Sequence, residues 1–295
     1  MTGIGPELEA HLKTGLTTLC HAWLITRKDG VRLAFTDHDL ALQFDGMTFQ
    51  AESGLGAKAL AQSTGLAVDN TEAIGALTHT AIREDEIEQG RFDGAEVQAW
   101  LVNWRDVNQR WLKFRGSIGE LTRTNGAFKA ELRGLTETLN RPLGRVYQKP
   151  CTAVLGDQKC RFDTGQLGYS TELAVEETQE GRVFIWEEIP GFDPAFFMRG
   201  RLDVLDGPAR GLWSLVKHDR FQDGKRILEL WEPIRGSVLA GMRVKLLAGC
   251  NKQMQTCKLK FNNLANFQGF PDLPGEDWMM AVPRSTGTNT GGSRR

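Results

Sequence analysis

Cysteine, tyrosine and long apolar runs are what this chain has least of. Only five cysteines and two tyrosines occur among its 295 residues. A chain of that length can bury a full core without covalent staples, so a disulfide framework is not needed for folding. No apolar run approaches the roughly 18 to 20 residues of a membrane span, so no membrane insertion is expected. An excess of charge is also missing: 36 basic residues face 37 acidic ones, for a net charge of −1. Bulk electrostatics therefore give no reason to expect direct nucleic-acid binding. The opening MTGIGPELEAHLKTG lacks the basic start, apolar stretch and small-residue cleavage site of a signal peptide. Synthesis in a reducing cytoplasm, where structural disulfides are disfavoured, is the expectation. A P-loop, a G-x-G-x-x-G after a strand and an H-E-x-x-H are absent too, which leaves nucleotide-dependent and zincin chemistry without support.

What is present is glycine, 33 of them, spread through alternating apolar segments. That pattern predicts many tight turns and a mainly β architecture. Residues 5–16 read as a short leading helix. CHAWLITRKDGVRLAFTDHD reads as two strands joined at Asp29-Gly30, and LALQFDGMTFQAE repeats the device at Asp45-Gly46. REDEIEQG is an acidic helix or turn, and AEVQAWLVNW and RWLKFRGSIGEL are strands. Asn125-Gly126 marks another hairpin, giving a meander able to close into a barrel. LTETLNRPLG reads as a short helix stopped by Pro142.

The second region holds six short β-like runs: YSTELAVEET, GRVFIWEEI, GRLDVLDG, GLWSLVKHD, KRILELWEP and MRVKLLAG. Their spacing suits a second small barrel or sandwich. From Phe261 the chain becomes irregular, and the tail 281–295 has the composition of a disordered segment.

Four of the five cysteines form two pairs, Cys151/Cys160 as C-x8-C and Cys250/Cys257 as C-x6-C. The pairs bracket the second β region, so folding that region would bring its two ends, and four thiols, together. Four thiolates suit an iron–sulfur cluster or a structural zinc. Gaps this wide make poor zinc knuckles and suit a larger object. Disulfides and four unconnected core cysteines are the remaining alternatives. Cys20, in an alternating strand, reads as packing.

Other constellations have plain readings. In TDHD, Asp37 and Asp39 would share one strand face and His38 the other, which suits a polar strand end or turn better than a site. A Cys–His nucleophile using His218 lacks a cysteine at a clear helix N-terminus, Cys257 being the one candidate with a helix-like stretch after it. FIWEEIPGFDPAFFM reads as core before interface.

RVYQKPCTAVLGDQKCRFD, CNKQMQTCKLKFNNLANFQGFPDLPGED and LAFTDHDLALQFDGMTFQAESG together resemble a family of phage-type tail hub proteins of gene transfer agents and related prophages. Their cysteine layout is similar to that of the minor tail protein L of lambda-like siphophages. The resemblance spans about residues 15–280, and Gln268 in NFQGFP departs from the small residue expected there. It implies a non-enzymatic structural protein of the virion tail tip, or baseplate. Two β-barrel-like hub domains with short helices would span residues 1–145 and 146–280, a cluster-bound segment closing the second. It further implies a homotrimer contacting a distal tail protein and a tail-tip or fibre protein. The implied cofactor is a [4Fe–4S] cluster on Cys151, Cys160, Cys250 and Cys257. The competing class is a soluble iron–sulfur redox protein or a zinc-stabilised protein.

Overall fold

The computed structural model describes residues 3–51, 55–56, 70–75, 83–124, 127–134 and 144–274. Among these the chain is mainly β, with three short α-helices and one 3-10 helix, Leu264–Asn266. It divides into two compact units, Met1–Leu143 and Gly144–Arg295. The Asn125-Gly126 turn, the helix expected before Pro142 and the tail 281–295 lie outside the described residues.

In the first unit, α1 (Pro6–Lys13) precedes β1 (Leu19–Thr26) and β2 (Arg32–Thr36). Gly30 takes φ +86°, and Arg27 N–H donates to Val31 O at 2.9 Å, closing the expected hairpin. A two-stranded hairpin of β3 (Leu42–Phe44) and β4 (Met47–Phe49) follows. Asp45 and Gly46 both take positive φ at its tip, the backbone that a two-residue hairpin turn of matching twist demands. After β5 (Leu55–Gly56), β6 (Asn70–Gly75) and α2 (Glu84–Glu88) come β7 (Glu96–Asn103), β8 (Arg110–Thr124) and β9 (Ala127–Gly134). The main sheet is antiparallel, in the order β2-β1-β7-β8-β9-β6-β5.

Both faces of β1 are buried, which strict alternation does not anticipate. Trp23 and Ile25 join one apolar cluster with Phe35, Val97 and Phe114. Cys20, Ala22 and Leu24 join another, on which the β3–β4 hairpin places Phe44 and Phe49. The small hairpin thus acts as a lid over the face that would otherwise meet water.

The second unit contains β10 (Ser170–Ala174), β11 (Glu177–Gln179), β12 (Val183–Trp186), β13 (Arg201–Val204), β14 (Trp213–Gln222), β15 (Lys225–Leu230) and β16 (Arg243–Leu247), then α3 (Met254–Leu259). The sheet runs β10-β16-β13-β14-β15-β12-β11. YSTELAVEET, expected as one run, is two strands on opposite edges. The break falls at Val175, which is buried and keeps to the β16 side through its N–H bond to Met242 O (2.8 Å). The core holds Phe184, Trp186, Ile189, Phe197, Leu202 and Leu228. Burying each such side chain contributes about 1.5 to 3 kcal/mol. Phe184, Ile185, Trp186, Ile189 and Phe197 of the aromatic stretch are therefore buried, Phe192 and Phe196 pack half-buried against that core, and Met198 is exposed.

One buried charge pair shapes the loop that meets the cysteines. Arg226 donates to both oxygens of Asp219, and its Nη1 also donates to Phe192 O (3.1 Å). Asp219 Oδ2 accepts Phe197 N–H at 2.8 Å. The segment around Phe192–Phe197 is thereby fixed against β14 and β15.

Candidate metal centre

The antiparallel pairing of β10 with β16 sets Ser170 opposite Leu247. The chain entering β10 and the chain leaving β16 therefore lie at the same end of the sheet. One carries Cys151 and Cys160, the other Cys250 and Cys257. Ala248 N–H donates to Tyr169 O (2.8 Å) and Cys151 N–H to Lys252 O (2.8 Å), tying the segments together. Cys151, Cys160, Cys250 and Cys257 line one narrow cavity together with Ala153 and Phe261, with room of about 10 Å³.

Three of the four cysteines, Cys151, Cys160 and Cys257, have positioning contacts of their own. Asp157, in the LGD turn, accepts the backbone N–H groups of Val154 (2.8 Å), Lys159 (2.9 Å) and Cys160 (2.6 Å). These bonds, Cys160 first, hold the Asp157 carboxyl below its ordinary pKa. Gly156 supplies φ +84° just before it. Gln268 N–H donates to Cys151 Sγ at 3.4 Å, so the residue that departs from the family pattern touches a cysteine through its backbone. Asn263 Nδ2 donates to Cys160 O (2.7 Å) and reaches Cys160 Sγ (3.5 Å). The thiol of Cys257 donates to Asn263 O at 3.2 Å. Asn263 thus bridges both cysteine pairs.

The electrostatics match a cluster of thiols that share one space. Burial pushes the Cys257 thiol up to about 11, and the charges of Cys250, Cys151 and Cys160 push in the same direction. A bound cation reverses that balance, because it favours the thiolates that neighbouring thiolates oppose.

On donor chemistry the four residues fit a thiolate-bound group. Among the described residues no three of His, Cys, Asp or Glu are grouped as ligands of one ion. The cavity is in turn small for a multi-atom cluster. All five cysteines are free thiols in this structure.

Lys260, which the sequence reading passed over, stands beside this group. Its Nζ donates to Phe196 O (2.6 Å) and Gly249 O (2.9 Å) and lies 3.9 Å from the Phe196 ring centroid. Burial lowers its pKa to about 8, against the opposing pull of Cys250 and Asp219. No pattern in KLKFNN distinguishes it from the exposed Lys258 two positions earlier.

The other candidate residues do not assemble into sites. Asp37 accepts from His21 N–H (2.6 Å) and pairs with His21 Nδ1 (2.9 Å), whereas His38 packs against Trp104 at 5.1 Å. Asp39 is exposed in the bend that follows β2. Cys20 is buried, with Sγ directed at Val102 O (3.6 Å), as expected of packing. His218 is exposed on β14. Cys257 lies in the second half of α3, so it has no helix N-terminus to activate it as a nucleophile.

Comparison with known proteins adds a second line. The family described as baseplate hub protein, N-terminal attachment domain, matches residues 5–163. A second family, described as phage conserved hypothetical protein BR0599, matches residues 195–277. One solved chain, from a structure described as the virion of a native gene transfer agent particle, is 51% identical to this chain. The match covers 98% of this chain and 99% of that one, with a TM-score of 0.90. No curated protein matches significantly.

Proposed function

Because the chain belongs to the phage baseplate hub family, we propose that it is a structural tail-tip hub whose four-cysteine centre carries a [4Fe–4S] cluster. The observation that carries the hub reading is the near full-length match, at 51% identity, to a chain of a gene transfer agent virion. The chain is a virion component of the tail baseplate, and its proposed role is non-enzymatic. It assembles as a homotrimer and links a distal tail ring to a tip or fibre protein. A half-exposed apolar face supports protein partners: Trp213, Leu215 and Trp231 are 56%, 47% and 58% exposed. In the second unit, one short stretch supplies both sheet edges, β10 and β11, which supports a barrel-like closure.

The cluster reading rests on the convergence of Cys151, Cys160, Cys250 and Cys257 on one cavity. When bound, such a group cross-links the chain before β10 to the chain after β16, much as structural zinc contributes folding free energy. The protein's own part is to hold the thiols. Asp157 sets the first loop, Asn263 joins the two pairs, and the Gln268 and Asn263 N–H groups aim at sulfur.

Iron, acid-labile sulfide and zinc analyses on anaerobically purified protein test the centre. About four iron and four sulfide per chain, with a broad absorption near 400 nm, is the expected result. One zinc and no sulfide would replace the cluster by a structural zinc, and absence of all three would remove the centre. Light scattering on the eluted species tests the trimer separately.

A further inference from the structure

The Lys260 side chain is half-buried, and among the described residues no carboxylate forms an ion pair with it. Among the described residues its hydrogen-bond acceptors are two backbone carbonyls, Phe196 O and Gly249 O, and two aromatic rings, Phe196 and Phe261, lie within 5.4 Å. Asp219, whose charge acts on Lys260, is already engaged by Arg226 and by Phe197 N–H. Taking an ammonium even partly out of water carries a cost that a nearby anion offsets. Gly249, whose carbonyl it binds, immediately precedes Cys250, and Phe261, next to it in sequence, lines the thiol cavity. Four protonated thiols carry no charge and offer that ammonium nothing, whereas four metal-bound thiolates form an anionic centre.

We infer that Lys260 is a fixed positive charge beside the four-cysteine centre, additional to the cavity-lining Lys252, and a positioning residue that fastens the Gly249–Cys250 backbone and offsets the charge of the bound thiolates. The inference rests on the cluster reading above. Its anchoring role is built into the fold. Phe196 O accepts both Lys260 Nζ and Gly249 N–H (3.0 Å), and Tyr169 OH donates to Lys260 O (2.9 Å). One side chain thereby connects the loop ordered by the Asp219–Arg226 pair to the backbone that presents Cys250.

The test compares full-length wild type, Lys260→Arg and Lys260→Gln, purified anaerobically. Each is measured for iron and sulfide content, for the midpoint potential of the centre, and for the rate of iron loss to a ferrous chelator. Removing a nearby positive charge favours the more oxidised, less negative state. Lys260→Gln is therefore expected to shift the potential downward and to lose iron several-fold faster, with Lys260→Arg close to wild type. Should Lys260→Gln fail to load while Lys260→Arg loads, the charge requirement is upheld. Equal failure of both variants, or a loaded Lys260→Gln with the wild-type potential, would overturn the inference while leaving the cluster standing. A wild-type protein without iron and sulfide removes the cluster reading and this inference with it.

Discussion

The carboxylate of Asp157 accepts the backbone N–H of Cys160 at 2.6 Å, and the same carboxylate holds Val154 and Lys159. A single acidic side chain thus folds the eight residues between Cys151 and Cys160 into a loop that turns both thiols inward. Asp does this better than most residues, because its short side chain reaches N–H groups two and three positions along the chain.

Replacing Asp157 by Ala removes all three bonds, and is expected to destabilise the second unit by about 1 to 2 kcal/mol, the usual cost of losing such a local cap. Asp157→Asn keeps an acceptor oxygen and should lose less. Thermal unfolding followed by near-UV signal, with counts of rapidly alkylated thiols, checks both. An unchanged melting temperature with unchanged thiol exposure in Asp157→Ala would show that the loop is held by something else.

Gly249 is a site where no side chain fits. A Cβ there would sit 1.8 Å from Met198 O, and one at the neighbouring Gly200 would sit 2.1 Å from Leu247 O. Both obstacles are backbone, so the strand end carrying Cys250 has to move. Gly249→Ala is expected to cost about 1 to 3 kcal/mol, in the range of overpacking. It should also lower metal or cluster occupancy, measured per chain against wild type, more than its effect on the first unit's unfolding accounts for.

Much of this was legible in the sequence where local chemistry decides it. Asp29-Gly30 and Asp45-Gly46 marked two hairpins because positive φ is a local demand. The mainly β class followed from alternating runs, and the two cysteine pairs stood out by their spacing. The splitting of β10 from β11 was not legible, since Val175 is apolar in either arrangement and its Met242 partner is distant in sequence. Cys257, the one cysteine with a helix-like stretch after it, lies inside α3, whose start MQTCKL does not mark with a capping residue. Asn263 and Lys260 act through contacts across long stretches of chain, and neither residue type signals such a role on its own.

Acid should expose the Asp37–His21 pair. Burial opposes the Asp37 charge, but the side-chain and backbone hydrogen bonds from His21 outweigh it and hold the carboxyl below its ordinary pKa. A depressed carboxylate contributes stability above its unfolded value of about 3.9, and that contribution is lost as pH falls through the lower folded value. Asp37→Asn should therefore be less stable than wild type at pH 6, by about 0.5 to 1 kcal/mol for a half-exposed pair. The difference should begin to close below about pH 4 and vanish once the pH is below the lowered folded value. A gap that persists undiminished into strong acid would show that Asp37 acts through shape and not charge.

The Asp219–Arg226 pair makes the strongest stability prediction. Their side chains are 0% and 4% exposed, and Arg226 also satisfies the carbonyls of Phe192 and Asp193. Arg226→Met leaves a buried carboxylate without its counter-charge and is expected to cost about 3 to 5 kcal/mol. Asp219→Asn keeps an acceptor for Phe197 N–H but strands the guanidinium, and should fall in the same range. Because the two losses share one cause, the double variant should be markedly less destabilised than the sum of the singles. Denaturant unfolding of the four proteins gives the coupling free energy directly. Additive losses would mean that each residue is held by its backbone partners alone, and that the loop bearing Phe196 is not fixed by the charge pair.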